Sequence, residues 1–252
     1  MTTATDIAAA LKTLNALPAD HPLTASARDN IRTWLTEPRY ARYAGEVAQH
    51  IAEDKWQKLD DVFYTVIPFG TGGRRGRMYP IGCNAINDRT IGESAAGLAA
   101  YVKETVGGSD LSCGIAYDTR HKSRHFAELC ARIMVAAGFR VFFLDEIRST
   151  PELSYLVRMK NCTCGIMVTA SHNPPTDNAV KVYWGTGGQV LPPHDSGIIE
   201  RVMNTEQIDD EVDFDKAVAE GKIVFCKEEV DAAFQREVVA QAPAGPREAR
   251  II

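Results

Sequence analysis

No stretch of the chain approaches the roughly 18 consecutive apolar residues that a membrane-spanning helix needs, so no membrane partner is expected. Residues Met1 to Leu17 have neither a basic n-region nor a continuous apolar core. No secretory signal is read there, and the expected compartment is the cytoplasm. Excess positive charge is missing too. The formal net charge is −5, and Lys and Arg are dispersed apart from one knot at Arg74, Arg75 and Arg77. Nucleic-acid binders usually carry a broad basic face, so no nucleic-acid partner is expected. A zinc pattern is also lacking. Cys162 and Cys164 are spaced C-x-C, but no second Cys or His pair completes the set. The other cysteines, Cys83, Cys113, Cys130 and Cys226, lie in apolar or strand-like surroundings. The chain is too long to need disulfide staples, so buried thiols are expected. Glycine is nearly absent from the first 60 residues, where only Gly45 occurs. With apolar stripes at Ile31, Trp34 and Leu35, and at Val47, Ile51 and Trp56, this region reads as a small helical preface.

What is present fits a soluble globular protein: 45% apolar and 24% charged residues in 252. Val62 to Phe69 reads as a strand running into Gly70-Thr71-Gly72-Gly73-Arg74-Arg75-Gly76-Arg77. Such a glycine-arginine turn suits either an anion site or a mobile surface turn, and the spacing is poor for a nucleotide fingerprint. A helix is predicted from about Asp88 to Val106, closed by Gly107-Gly108. Strand Ser112 to Tyr117 ends in the turn Asp118-Thr119-Arg120. Ser123 can cap a helix with the face Phe126, Leu129, Cys130, Ile133, Met134 and Ala137, stopped by Gly138. Strand Val141 to Leu144 follows. Then comes a helix with Thr150 as N-cap and Pro151 at its first position, running to about Lys160. Cys164 to Val168 and Ala179 to Trp184 are further strands. The order predicts a three-layer α/β/α fold with a mainly parallel, mixed sheet. Gly185 to Gly188 is read as a hairpin with Gln189 to Leu191 pairing back. A helix from Asp195 to Asn204, a solvated acidic segment from Glu206 to Asp215 and a helix from Lys227 to Gln241 complete the pattern. Residues 242–246 read as a linker turn, and 249–252 as the opening of another domain. The expected boundaries are 1–59 for the helical extension, 60–222 for the main domain, and 223–252 for a linker helix and the start of the next.

The chemistry centres on Thr169-Ala170-Ser171-His172-Asn173-Pro174-Pro175. A hydroxyl nucleophile sits in a short polar turn at the end of a buried strand, where α/β proteins usually place their chemistry. On the strand leading out, Val180, Val182 and Trp184 share one face, with Lys181 and Tyr183 on the other.

These residues resemble the α-D-phosphohexomutase superfamily, the phosphoglucomutases and phosphomannomutases. Thr169 to Pro174 is similar to the family's active-site serine loop. Lys181, ten residues after the serine, is similar to the lysine that follows it there. Phe69 to Gly76 resembles the early G-T-x-G-x-R-G loop, which places Arg75 on the active-site arginine. Asp118-Thr119-Arg120 with Ser123 resembles the D-x-R-x-x-S turn of the first domain. The resemblance covers about residues 60 to 205. More weakly, the preface resembles that of the larger phosphoglucomutase-2 and phosphopentomutase type. Asn178-Ala179-Val180-Lys181 departs from the family's usual Asn-Gly at this place. The family's magnesium loop, D-G-D-x-D-R, occurs nowhere in the chain, nor do its sugar-reading loop and C-terminal phosphate-binding loop.

The resemblance implies a phosphoserine at Ser171 that serves a hexose phosphate substrate through a bisphosphate. Glucose 1,6-bisphosphate is the implied activator, and Mg2+, held partly through the Ser171 phosphate, the implied cofactor. Arg75 and Lys181 would supply positive charge, and His172 or Lys181 would move the hydroxyl proton. Arg74, Arg120, Thr169 and Asn173 are expected around the phosphate, with Arg120 either supporting the loop or binding the phosphate. The magnesium aspartates and domains II to IV are expected to be missing, so the chain alone is expected not to turn over. Self-association through uncovered apolar surface is expected. Two other readings stay open: a non-catalytic phosphosugar- or partner-binding module, and a serine hydrolase. The hydrolase fares badly, because Ser171 and His172 are adjacent and no G-x-S-x-G elbow exists.

Overall fold

The structure is a computed structural model, and it describes residues 4–70 and 72–242. Thr71 and the segments expected as a linker turn from 243 and as a strand at 249–252 lie outside the described residues. Four helices open the chain: α1 (Ala4–Ala16), α2 (Ala25–Thr36), α3 (Ala41–Ala52) and α4 (Trp56–Phe63). They enclose a core of their own built on Ile31, Trp34, Val47, Ile51 and Phe63, closed from below by Ile81, Cys83 and Ala85. Thr24 caps α2 by accepting from the Ala27 amide.

The sheet that follows has the order β1-β5-β4-β2-β3-β6, with β1 (Gly73–Arg77), β2 (Ser112–Tyr117), β3 (Arg140–Phe143), β4 (Cys164–Val168), β5 (Asp177–Trp184) and β6 (Ile223–Phe225). β4, β2, β3 and β6 run parallel, and β5 is antiparallel to both its neighbours, β4 and β1, so the sheet is mixed as expected. Strand alternation sorts its two faces. Ile115, Ile166 and Val182 face α5 (Asp88–Val106), α6 (Ser123–Ala136) and α8 (His194–Met203). Their neighbours Ala116, Met167 and Tyr183 face α7 (Thr150–Met159) and α10 (Lys227–Ala240). The result is three layers.

The expected strand over Val62 to Phe69 is not one. Val62 and Phe63 continue the stripe begun by Leu59 and finish α4 inside the helical core, so tertiary packing overrides their β propensity. The strand lies instead in the glycine-arginine segment. Gly73 makes this possible: a Cβ there would stand 2.3 Å from the Val180 carbonyl oxygen across the pair. Smaller shifts occur at caps. Lys122, at φ 60°, precedes α6 in place of Ser123, and Ser149 rather than Thr150 is the N-cap of α7. The hairpin after β5 is reduced to one bridge, Tyr183 with Gln189. Two elements escaped the sequence pattern, the short helix α9 (Phe214–Ala219) and β6. β6 pairs with β3, and α10 packs on α7, so residues 223–240 contribute to this sheet and its helical layer.

All six cysteines are buried and free. Burial pushes the Cys83, Cys130, Cys162 and Cys226 thiols up to about 12, which keeps them protonated and poorly nucleophilic.

Candidate active site

β4 delivers Thr169 and Ala170, both buried, to the C-terminal edge of the sheet. The chain then turns sharply. Ser171 adopts φ 57°, a left-handed conformation that costs an L-residue roughly 1–2 kcal/mol, and its side chain is exposed. Two local bonds shape the turn. The Thr169 Oγ1 accepts from the Ser171 amide at 3.0 Å, and the Ala170 carbonyl accepts from the Asn173 amide at 3.1 Å. Asn173 Nδ2 donates to Asp177 Oδ2 at 2.9 Å, closing the loop at the start of β5.

Arg120 holds this turn from outside. Its Nη2 donates to the carbonyls of Ser171 at 2.6 Å and Asn173 at 2.7 Å. Its Nη1 donates to those of Pro174 at 2.8 Å and Asp177 at 3.1 Å. Nε lies 3.4 Å from Asp118 Oδ2. The four Nη hydrogens are thereby occupied, and Nε makes an ion pair. Arg120 braces the loop through four carbonyls. Thr169 Oγ1 and Asn173 Nδ2 likewise bond within the loop.

Behind the brace lies a network the sequence only half showed. Asp118 Oδ1 accepts from Ser123 Oγ at 2.7 Å and from the Arg120 amide at 3.0 Å. Asn178, fully buried, donates to Ser123 Oγ at 3.0 Å and to the His121 carbonyl at 3.1 Å. The spacing of Asp118, Arg120 and Ser123 was visible in the sequence. Asn178 had one signal, a polar residue where the strand turns inward.

His172 is exposed, with Nδ1 3.4 Å from Ser171 Oγ, a long contact. Register places Arg75 opposite Ala179 and Gly73 opposite Lys181, so Arg75 and Lys181 share one face of the sheet. Neither has an ion pair or side-chain hydrogen bond among the described residues, and neither hydrogen-bonds Ser171. They are two uncompensated cations.

Arg74 points the other way. It is 1% exposed and donates to Glu93 Oε2 at 2.8 Å and to the Thr90 carbonyl at 3.0 Å. Glu93 also receives Arg89 Nε at 2.8 Å, and Arg89 reaches the carbonyls of Arg39, Thr205 and Glu206. Arg74 therefore belongs to a buried ion cluster, on the strand face opposite Arg75. Strand alternation decides this, since consecutive residues 74 and 75 must face opposite ways.

Among the described residues no group of three or more His, Cys, Asp or Glu side chains could hold a metal ion. Asp118 and Asp177, which flank the loop, are bound to Ser123 and Asn173. These residues do not by themselves make a magnesium site.

The left-handed turn makes a prediction. Ser171→Gly removes the Cβ penalty and is expected to raise stability by up to about 1 kcal/mol while abolishing any chemistry at this position. Denaturant melts of the two proteins measure it; a loss of stability would show that the turn is not strained.

Fold and loop together define an α/β/α domain that presents a braced, exposed serine at a strand end. Residues 67–209 match the family model described as phosphoglucomutase/phosphomannomutase, alpha/beta/alpha domain I, and the chain belongs to that family. The phosphoribomutase of Saccharomyces cerevisiae is 32% identical over 219 residues, covering 84% of this chain and 35% of the yeast protein. A phosphoglucomutase of Staphylococcus saprophyticus is 36% identical over 178 residues, covering 70% of this chain and 32% of its own. The chain thus spans about a third of the length of these relatives. The fold matches the crystal structure of a Thermus thermophilus protein assigned as a phosphomannomutase, with TM-score 0.56 at 24% identity over 69% of this chain and 36% of that one. No helix among the described residues is long and apolar enough to cross a membrane.

Proposed function

We propose that Ser171 accepts and returns a phosphoryl group, and that the chain carries the phosphoserine domain of a phosphosugar mutase. The observation that supports this most is the brace: four backbone bonds from one arginine hold a strained serine outward. In the forward step a bond forms between Ser171 Oγ and the phosphorus of a sugar bisphosphate as the sugar O–P bond breaks. The serine proton leaves through His172 or Lys181, and the departing sugar oxygen takes one up. Phosphoryl transfer spreads negative charge over oxygen, so positioning and charge neutralisation dominate catalysis. Arg75 and Lys181, uncompensated on one sheet face, are suited to that role. A Mg2+ would find one ligand here, the Ser171 phosphate.

Hexose 1-phosphate and 6-phosphate are the proposed substrate pair, with glucose 1,6-bisphosphate as the phosphoryl source. The phosphoribomutase likeness, which covers most of this chain, favours a pentose phosphate as the second reading. The test is single-turnover transfer. Chain phosphorylated at Ser171 is mixed in turn with glucose 1-phosphate, mannose 1-phosphate and ribose 1-phosphate. Loss of phosphoserine with formation of a bisphosphate supports the mutase reading and ranks the sugars. Phosphoserine that survives all three, also with magnesium and the remaining domains supplied in trans, would leave a non-catalytic phosphosugar-binding module.

A further inference from the structure

β1 carries a second uncompensated arginine. Arg77 is exposed and, like Arg75, has no ion pair or side-chain hydrogen bond among the described residues. The two stand at alternate positions and so share a strand face. Asp177 is the cross-strand partner of Arg77 and the nearest candidate counter-ion in register. Its oxygens go to Asn173 and Thr176 instead.

Both arginines line a cavity of about 290 Å3 between β1 and α4, with Lys58, Asp61 and Tyr79 on its wall and Pro68 at its apolar side. Lys58 is held there by its contact with the Tyr79 ring, 5.3 Å from ammonium to centroid. Tyr79 is in turn fixed by His50. His50 Nδ1 must donate to the Glu46 carbonyl, because a carbonyl can only accept. In the neutral imidazole His50 Nε2 is then an acceptor, 2.6 Å from the Tyr79 hydroxyl that donates to it. Asp61 is the one acidic side chain on the wall, 3.8 Å from Lys58. Three cations and one carboxylate therefore line the cavity. The wall continues into the serine loop, where the Met78 amide donates to the Thr176 carbonyl at 2.8 Å.

We infer that Lys58, Arg75 and Arg77 form an anion pocket that binds the phosphate of a phosphate monoester, with Lys58 supplied by the helical preface. Guanidinium forks suit phosphate oxygens, and a phosphate group is small enough for the space. The preface is then part of the ligand-binding surface as well as a packing element. The inference rests on the phosphosugar reading for the ligand's identity, and on the pocket alone for its existence.

The test is titration of the chain with inorganic phosphate at low ionic strength, following the amide resonances of Arg77, Tyr79 and Asn84. Arg77→Gln and Lys58→Gln are each expected to weaken the dissociation constant at least about 5-fold. Asp61→Asn is expected to tighten it, because a charge opposing the anion is removed. Lys216→Gln, on a side chain 74% exposed in α9, is expected to change nothing. Unchanged affinity in Arg77→Gln and Asp61→Asn, or shifts confined to Ser171 to Asn173, would overturn the inference. The same samples are weighed after exposure to glucose 1,6-bisphosphate. A chain that binds phosphate in this pocket yet gains none on Ser171 keeps the pocket and loses the phosphoserine.

Discussion

Replacing Arg120 with methionine is expected to slow phosphorylation of Ser171 by about 100-fold or more and to cost about 3 kcal/mol of stability. Methionine keeps the stem of the side chain and removes the fork. Four carbonyls, of Ser171, Asn173, Pro174 and Asp177, then lose their donor together. The side chain is only 10% exposed, so water does not simply replace it. Without the brace, Ser171 is free to leave φ 57° for an ordinary conformation, and a misplacement of about 1 Å is enough for a loss of that order. Arg120→Lys is expected to rescue little, because an ammonium cannot reach four acceptors in one plane. The two effects separate by experiment: the labelling rate is read by mass and the stability by denaturant unfolding. Labelling at the unsubstituted rate in Arg120→Met would show that the loop holds itself.

Glu93→Ala is expected to be the most destabilising single change, at about 4 kcal/mol, with a melting temperature lower by about 10 °C. Glu93 is the shared partner of Arg74 and Arg89, whose side chains are 1% and 4% exposed. Its removal strands two buried guanidiniums. Arg74→Leu is expected to cost much less. Arg89 still neutralises Glu93, and leucine suits a position whose register partner is Val180 in the main core. The ordering matters more than either value. Glu93→Ala milder than Arg74→Leu would show that the cluster contributes no net electrostatic support. Calorimetry on the two variants decides it.

Much of this architecture was legible in the residues. β2 and β4 fall where their unbroken apolar runs stop, and α5 runs from Asp88 to Val106 as the pattern predicts, because Gly107 ends it. The serine loop could be located because a polar turn with two prolines interrupts two buried strands. Three things were not legible, each for a physical reason. Val62 to Phe69 has strand composition, but its first residues are claimed by a helical core that only the three-dimensional packing reveals. Gly73 to Arg77 lacks the apolar residues that mark strands, since an edge strand needs a backbone partner more than it needs side-chain burial. Arg74 and Arg75 are indistinguishable in composition, and only the register with β5 sends one inward and the other out. The same holds for Arg120. Its spacing from Asp118 announced a role, but that the role is bracing follows from four donors meeting loop carbonyls.

The most direct test is the intact mass of the purified chain before and after incubation with glucose 1,6-bisphosphate and magnesium, with peptide mapping of any phosphate and Ser171→Ala alongside. The account predicts one added phosphoryl group, on Ser171, absent from the Ser171→Ala protein. Phosphate on another residue, or gained equally by the Ser171→Ala protein, would contradict it.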